Sequence, residues 1–196
     1  MANSNAPFGL RPVKHLSGGV ISPNKLGYTI ASGYGTDLFM GDPVDVSGTS
    51  VNGKPGIVRA TAGDTNKILG VFAGCSYVNA SGQPVWSQYW PASTTATNIE
   101  AFVYDDPNIL FEIQADATGI AAVDIGLNVN LESGSGSTTT FLSGFLADGS
   151  GTPATTATYQ LRLRGFSEDP LNEVGAYAKV LVSINNHRNA NAVVGA

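Results

Sequence analysis

Short apolar runs separated by turn-forming residues recur along most of the chain and predict a series of β-strands. The clearest run lies between residues 160 and 166, where leucine and arginine alternate as Leu161, Arg162, Leu163 and Arg164. Successive side chains of a strand point to opposite faces of a sheet, so the pattern predicts a half-buried strand with its leucines inside and its arginines outside.

Other segments carry the same kind of signal, with turns between them that are rich in Gly, Pro, Asn and Asp. The longest predicted strand has its apolar residues at alternate positions, namely Ala178, Val180, Val182 and Ile184. One helical turn is predicted from Thr118 to Val123. The remaining predicted strands cover residues 43–46, 56–60, 68–73, 85–90, 101–104, 109–113 and 127–131.

This pattern predicts an all-β protein whose body is a β-barrel or sandwich-like unit, with very little helix. The turn Asp105–Asn108 separates two apolar runs and predicts a hairpin or a bent ladder. The body is expected to span residues 28–185. Two Gly/Ser/Thr-rich loops, at 133–140 and 148–158, are expected to be mobile or to face a partner, and residues 186–196 are expected to form a frayed tail.

Residues 1–27 predict an extended N-terminal arm, because Pro7, Pro12 and Pro23 remove backbone donors and disfavour helix. The apolar residues of this arm would be poorly placed on a free tail. Two alternatives remain open from the sequence: the arm lies on another subunit, or it packs on its own body.

The composition indicates a folded protein with an unusual surface. Apolar residues make up 42% of the 196 residues, which is enough for a core, whereas charged residues make up only 13%. That charged fraction is about half of the roughly 25% typical of soluble domains. The net charge of −5 and the lack of a dense Lys/Arg cluster argue against a nucleic-acid partner.

Charge is also segregated along the chain. The segment from Ile68 to Gln160 has no lysine or arginine but holds eight of the fifteen acidic residues, whereas only basic residues precede Asp37. Regions of opposite sign on one molecule suit docking onto a partner or onto further copies of the same chain. The sequence therefore indicates an assembly protein rather than an enzyme.

Targeting signals are not evident. The start of the chain lacks the pattern of a secretory signal, and its apolar runs are too short to span a membrane, so we expect synthesis in a cytoplasm and no membrane partner. The single cysteine, Cys75, cannot form an internal disulfide and is expected to be a small buried apolar residue.

Candidate catalytic groups are few. Only His15 and His187 could serve as imidazole bases, and no Gly-x-Ser-x-Gly motif accompanies them. We therefore expect no catalytic residues and no cofactor. Asp105, Asp106 and Asn108 could contribute oxygen ligands to a calcium ion, but the same residues are typical of a turn, which is the favoured interpretation, and no metal is expected.

Two groups of residues are candidate binding elements. Trp86, Tyr89 and Trp90 could stack on sugars, and their strand positions predict that Trp86 and Trp90 share one face while Tyr89 lies on the other. Aromatic residues with such spacing are more often core or interface. Arg162 and Arg164 could bind a carboxylate in a bidentate manner, or they could form a solvated face.

Three segments follow one another in a recognisable order: residues 6–13 (APFGLRPV), the step Gly41–Val44 (GDPV) and residues 68–74 (ILGVFAG). This order resembles head decoration proteins of tailed bacteriophages, also called capsid-stabilising or cement proteins. In that family, an arm precedes a small β-barrel-like (β-tulip-like) body, in which a Gly-Asp-x-Val strand comes before an Ile-Leu-Gly-Val strand. The resemblance covers mainly residues 1–75.

The resemblance implies a structural protein on the outside of a phage head, most often a homotrimer that clamps neighbouring subunits of the major capsid protein. It brings no catalytic residues. The alternative is a carbohydrate-binding or tail-associated adhesion protein of the virion. Combined with the charge pattern, the resemblance makes the following residues the expected partner-binding set: Phe8, Leu10, Arg11, Val13, Lys14, Arg162 and Arg164.

Overall fold

The computed structural model describes residues 3–151, 153–192 and 195. The first two residues of the predicted arm, residue 152 of the second predicted loop, and residues 193, 194 and 196 of the predicted tail lie outside the described residues. The regular secondary structure of the described residues is almost entirely β-strand, as predicted, and one 3-10 turn at Ala122–Asp124 overlaps the end of the segment expected to be helical.

Two antiparallel sheets contain most of the strands. Sheet A has the strand order β1-β10-β15-β14-β11, and sheet B has the order β2-β9-β6-β4-β5, with β7 paired to β6. Two short pairs, β12-β13 and β3-β8, complete the fold. The strands are β1 Arg11–His15, β2 Asn24–Tyr28, β3 Leu38–Phe39, β4 Pro43–Val51, β5 Lys54–Arg59, β6 Gly70–Asn79, β7 Pro84–Ser87, β8 Tyr89–Trp90, β9 Ala96–Tyr104, β10 Ile109–Gln114, β11 Asn128–Val129, β12 Leu131–Glu132, β13 Leu146–Ala147, β14 Leu161–Phe166 and β15 Lys179–Ile184.

Sheet A buries one face against the rest of the protein. The leucines of β14 and the alternate residues predicted for the longest strand are buried, which confirms those two predictions. They join the inward residues of β10 in one apolar cluster, to which sheet B contributes Val71 and the flanking residues Ala60 and Ile68. This cluster connects sheet A with sheet B, which gives the fold its sandwich-like character.

Sheet B curls around a second apolar cluster. The amide of Thr29, just after β2, donates to the carbonyl of Pro55 at 3.1 Å, and Ile57 donates to the carbonyl of Thr29 at 2.8 Å. These bonds bring β5 back toward β2, so inward side chains of β2, β4, β5, β6 and β9 meet. Cys75 lies in this cluster as expected, and its burial raises the pKa of its thiol to about 12.

The N-terminal segment is extended, but it is part of the body. Leu10 is 1% exposed and lies in the first apolar cluster, and β1 is the edge strand of sheet A beside β10. Strand β2 pairs with β9 at the other sheet. Of the two alternatives that the sequence left open, packing of this segment on its own body is therefore the one observed.

The turn Asp105–Asn108 does not close a hairpin. Strand β9 belongs to sheet B and β10 belongs to sheet A, so this turn carries the chain from one sheet to the other. The local sequence cannot distinguish the two outcomes, because the same turn residues serve a hairpin and a crossover between sheets.

The region after β15 also differs from the prediction. Asn186 and His187 are at the start of the predicted frayed tail, but they are buried, as is Asn185 just before them. The side-chain amide of Asn185 donates to two backbone carbonyls, those of Ala157 at 2.9 Å and Tyr159 at 3.0 Å. A polar side chain is stable in the interior when its donors are satisfied in this way, so a polar sequence does not identify a free tail.

The predicted loop 133–140 is held in place in a similar manner. Arg59 donates a side-chain hydrogen bond to the carbonyl of Gly134, and the amide of Phe141 donates to the carbonyl of Ser137 at 2.8 Å. In the second predicted loop, the amide of Asn128 donates to the carbonyl of Ala154 at 2.8 Å. Both loops thus have specific contacts with the body.

The two sheets and the N-terminal segment meet at Gly41 and Asp42. The carbonyl of Gly41 accepts the amide of Leu10 at 2.9 Å, and its amide donates to the carbonyl of Phe72 at 2.9 Å. Asp42 is fully buried, and its Oδ2 accepts the amide of Phe39 at 2.9 Å and lies 3.4 Å from Nε of Arg59.

No helix within the described ranges has the length and apolar character needed to cross a membrane.

Gly41→Ala should destabilise the protein strongly. Gly41 has φ of +91°, and a Cβ atom there would lie 2.5 Å from the backbone oxygen of Phe8. Gly48 has a similar φ of +74° but open space around it, so Gly48→Ala is the matched control. We expect a loss of about 1 kcal/mol in the free energy of unfolding for the control, from the left-handed backbone alone, and at least about 2 kcal/mol more for Gly41→Ala. Equal losses in urea unfolding would contradict the close approach.

Asp42→Asn should change how stability depends on pH. Burial raises the pKa of Asp42, although the Phe39 amide and the Arg59 charge oppose this effect. The folded protein therefore binds a proton at Asp42 up to a higher pH than the unfolded chain does, and its stability falls as pH rises through the raised pKa. Asn cannot ionise. We expect the free energy of unfolding of the variant, relative to wild type, to increase from about pH 4 to about pH 7, measured by urea unfolding across that range; a constant difference would contradict this role of burial.

Candidate functional site: the basic face of sheet A

The outer face of sheet A brings together basic residues from distant parts of the chain. Lys14 of β1 is paired with Leu110 of β10, and Leu110 is paired with Ser183 of β15. Ser183 in turn is paired with Arg162 of β14. Residues that lie directly opposite each other in antiparallel strands project from the same face, so Lys14 and Arg162 share the face that points away from the core.

Neighbouring rows add further charged residues to that face. Arg11 is paired with Glu112, and Gln114 is paired with Lys179. Arg164 lies at an irregularity between β14 and β15, and its Nε donates to Oγ of Ser183 at 3.0 Å. Half of the chain's ten lysines and arginines thus lie on this surface, which we call the basic face: Arg11, Lys14, Arg162, Arg164 and Lys179.

Arg11 is the most strongly positioned of these cations. Its guanidinium stacks on the ring of Phe8, with Cζ 4.7 Å from the ring centroid, and forms a salt bridge with Glu112. The Arg11 side chain is 60% exposed, whereas that of Glu112 is only 7% exposed. A buried carboxylate behind the arginine and an aromatic ring beneath it hold the guanidinium in one orientation while leaving it accessible.

Two arginines lie beside each other on β14. Burial and the neighbouring positive charge of Arg162 lower the pKa of the Arg164 guanidinium. Among the described residues, neither Lys14 nor Arg164 has a carboxylate within salt-bridge distance. Like charges held side by side repel each other, so this arrangement suits an anionic ligand better than it suits the isolated protein.

The rim of the basic face is mixed in charge. Lys179 forms a salt bridge of 2.7 Å with Asp169, and the resulting hydrogen bond, together with the amide of Leu171, lowers the pKa of Asp169. Glu168 and Asp169 line a cleft that Arg11 and Lys14 also line. The positive charge is therefore concentrated toward Lys14, Arg162 and Arg164 rather than spread evenly.

The predicted partner-binding residues separate into two groups. Arg11, Lys14, Arg162 and Arg164 lie together on the basic face, and Val13 is 48% exposed beside them. Phe8 is half-buried beneath Arg11. Leu10 lies in the chain's own core and is 1% exposed, so it is not part of the surface of the basic face.

Sequence reasoning missed some residues of this surface. Lys179 and Leu181 alternate with the buried residues of β15, so the predicted strand already placed them on its other face. The role of Glu112 had no local signal, because its partner, Arg11, is 101 residues away in the chain.

The two histidines have structural roles that are separate from the basic face. Nε2 of His15 lies 3.0 Å from Oδ2 of Asp106, and its Nδ1 accepts the amides of Ser17 and Gly19 at 3.2 and 3.3 Å. Both ring nitrogens are thus engaged in fixing the chain after β1. His187 is fully buried, which lowers its pKa.

The acidic turn after β9 is occupied by internal hydrogen bonds. Oδ1 of Asp106 accepts the amide of Asn108 at 2.8 Å, and Asp105 accepts the hydroxyl of Tyr28 at 2.8 Å. Within the described residues, no group of three or more His, Cys, Asp or Glu side chains has an arrangement that could hold a metal ion.

The predicted shared face of Trp86 and Trp90 is wrong. The strand is interrupted at Gln88, so Trp86 lies on β7 and Trp90 on β8. Trp86 is 74% exposed beside Phe102, whereas Trp90 is fully buried and Tyr89 stacks between Phe39 and Phe141. These three aromatic residues therefore do not form one platform for a sugar.

In comparisons with known proteins, no family model, no curated protein and no solved structure matches this chain.

The repulsion on β14 leads to a salt-dependent prediction. Arg164→Gln removes the repulsion between this residue and Arg162. This change stabilises the folded protein most at low ionic strength, where the repulsion is least screened. We expect the free energy of unfolding of the variant, relative to wild type, to decrease by about 0.3–0.5 kcal/mol as salt increases from low to high concentration. Comparing the two salt conditions cancels the loss of the Ser183 hydrogen bond. Lys67→Gln, which changes charge at an exposed residue elsewhere, is the control; an equal salt effect in both variants would contradict the repulsion.

Proposed function

We propose that this protein is a virion structural protein that binds the outer surface of a phage capsid and stabilises the head by bridging shell subunits. Its partners would be the major capsid protein and further copies of itself, as a homotrimer. The observation that carries the proposal is the basic face, where five of ten cations gather on one sheet surface of a chain with net charge −5.

A sheet surface suits attachment to a shell. Its strands are held by backbone hydrogen bonds and by the core beneath them, so its side chains keep fixed positions without a partner. Opposite charge on a capsid would increase the rate of encounter and fix the orientation of binding. Many copies on one shell would need only modest affinity each, provided that neighbouring copies engage together.

The segments that resemble decoration proteins form one structural unit, which adds support. Pro43 and Val44 pair with Val71 and Gly70, and Leu10 is bonded to Gly41. The three resembling segments are thus in direct contact at the junction of the fold. A shared sequence pattern is more informative when its parts depend on each other structurally.

Charge reversal on the basic face tests the proposal. Arg162→Glu combined with Arg164→Glu should reduce binding to capsids of its own phage that lack this protein by about tenfold or more, measured by co-sedimentation. Lys25→Glu combined with Lys67→Glu makes the same change in net charge at two exposed residues elsewhere and should bind like wild type.

Electron microscopy of the decorated particles supplies the second measurement. Wild type should appear as an ordered layer on the outer surface, with a fixed number of copies for each shell subunit. Wild-type protein that does not bind capsids, or a β14 double variant that decorates them as fully as wild type does, would overturn the proposal.

A further inference from the structure

Three cavities meet around Arg11. One cleft of about 410 Å³ lies between the N-terminal segment and the strands β10 and β15, and a second of about 600 Å³ follows β1 and the segment after β14. A third, smaller cavity of about 210 Å³ lies between β1 and the Gly41 junction. Arg11 lines all three.

The small cavity is almost entirely apolar. Apart from Arg11 at its edge, it is lined by Phe8, Leu10, Pro12, Met40, Gly41, Phe72, Tyr104 and Leu142. Sites for small molecules usually have volumes of about 300–1,000 Å³. A cavity of 210 Å³ is smaller than these and suits a single large apolar side chain.

Arg11 has donors to spare at the edge of this cavity. A guanidinium carries five N–H donors in a planar fork. Among the described residues, its side chain makes one hydrogen bond, to Oε2 of Glu112. Phe8 and Glu112 fix the plane of the guanidinium, so little side-chain entropy would be lost when a second carboxylate binds to the remaining donors.

We propose that Arg11 and the apolar cavity together form a recognition site for an acidic segment of a partner protein. A large apolar side chain of that segment enters the cavity, and a carboxylate next to it in the sequence binds Arg11. Further acidic residues of the segment lie along the basic face, toward Lys14 and Arg162. This inference rests on the proposed function, because it identifies the part of the shell protein that the basic face would bind.

Charge and cavity shape favour this occupant over others. A basic segment would be repelled by Arg11 and Lys14, and an acidic segment without an apolar residue would leave the cavity empty. A buried apolar side chain surrounded by a polar, charged rim is the usual composition of an energetically important contact between proteins.

A short synthetic peptide is a suitable probe. It carries one leucine flanked on both sides by glutamates, and the comparison peptide has serine in place of leucine. We expect the leucine peptide to shift the amide resonances of Arg11, Met40 and Leu142 in the isotope-labelled full chain. The serine peptide should bind about tenfold more weakly, because it leaves the cavity unfilled. Equal binding of the two peptides, equally strong binding of duplex DNA, or shifts confined to other surfaces would overturn the proposal.

Two variants test the two parts of the site separately. Arg11→Gln should weaken peptide binding by about tenfold and reduce its salt dependence, while the contacts toward Lys14 and Arg162 retain the rest. Leu142→Phe, which narrows the cavity, should weaken binding of the leucine peptide but not that of the serine peptide. Val123→Phe, at an exposed residue of the 3-10 turn, is the matched control and should bind like wild type. Melting temperatures of all variants establish that they are folded, and unchanged binding by folded Leu142→Phe would overturn the role of the cavity.

The outcomes separate this inference from the proposed function. Peptide binding at Arg11 without binding to capsids would support the recognition site and reject the capsid as its target. Capsid binding that depends on Arg162 and Arg164, but with no peptide response at Arg11, would support the proposed function and overturn this inference.

Discussion

The buried ion pair between Asp42 and Arg59 is the interaction on which the junction of the fold depends. Taking a carboxylate out of water is costly, and its attraction to a cation offsets that cost only when further hydrogen bonds satisfy it. Asp42 is satisfied only in part: the Phe39 amide binds its Oδ2 and Arg59 lies 3.4 Å away, whereas its buried Oδ1 lacks a hydrogen-bond partner among the described residues and burial raises the pKa of Asp42. Arg59 is itself held, because it stacks on Phe145 and donates to the carbonyl of Gly134. The pair therefore fixes the positions of β3, the end of β5 and the loop from residue 133 relative to one another.

Gly41 extends this constraint to the N-terminal segment and thus to the basic face. Its backbone joins Leu10 on one side and Phe72 on the other, and no side chain fits between them. Leu10 is followed immediately by Arg11, so the position of the first residue of β1 is set by the packing of its buried neighbour. A binding group on an exposed edge strand is in this way fixed by contacts within the core.

The strands of the body could be predicted because the alternation of apolar and polar residues along each strand is a local property of the sequence. The leucines and arginines of β14 lie on opposite faces, as do the alternate residues of β15. The partners of these strands could not be predicted, because pairing depends on residues far apart in the sequence. The turn after Tyr104 could close a hairpin or join two sheets, and only the apolar clusters on either side of it decide that it joins sheets. The same limit applies to Trp90, since its burial depends on the pairing of β8 with β3, for which the local sequence holds no signal.

The charge pattern has a different meaning in space than in sequence. Along the chain, basic residues at the start and near the end flank an acidic middle, which suggests a basic arm on an acidic body. In the fold, β1 from the start of the chain and β14 from near its end lie on either side of the central strands β10 and β15. Their cations are thereby placed on one surface, to which the acidic middle contributes Glu112 as the partner that orients Arg11. Sheet topology, rather than a separate arm, converts two distant basic segments into a single surface suited to an acidic partner.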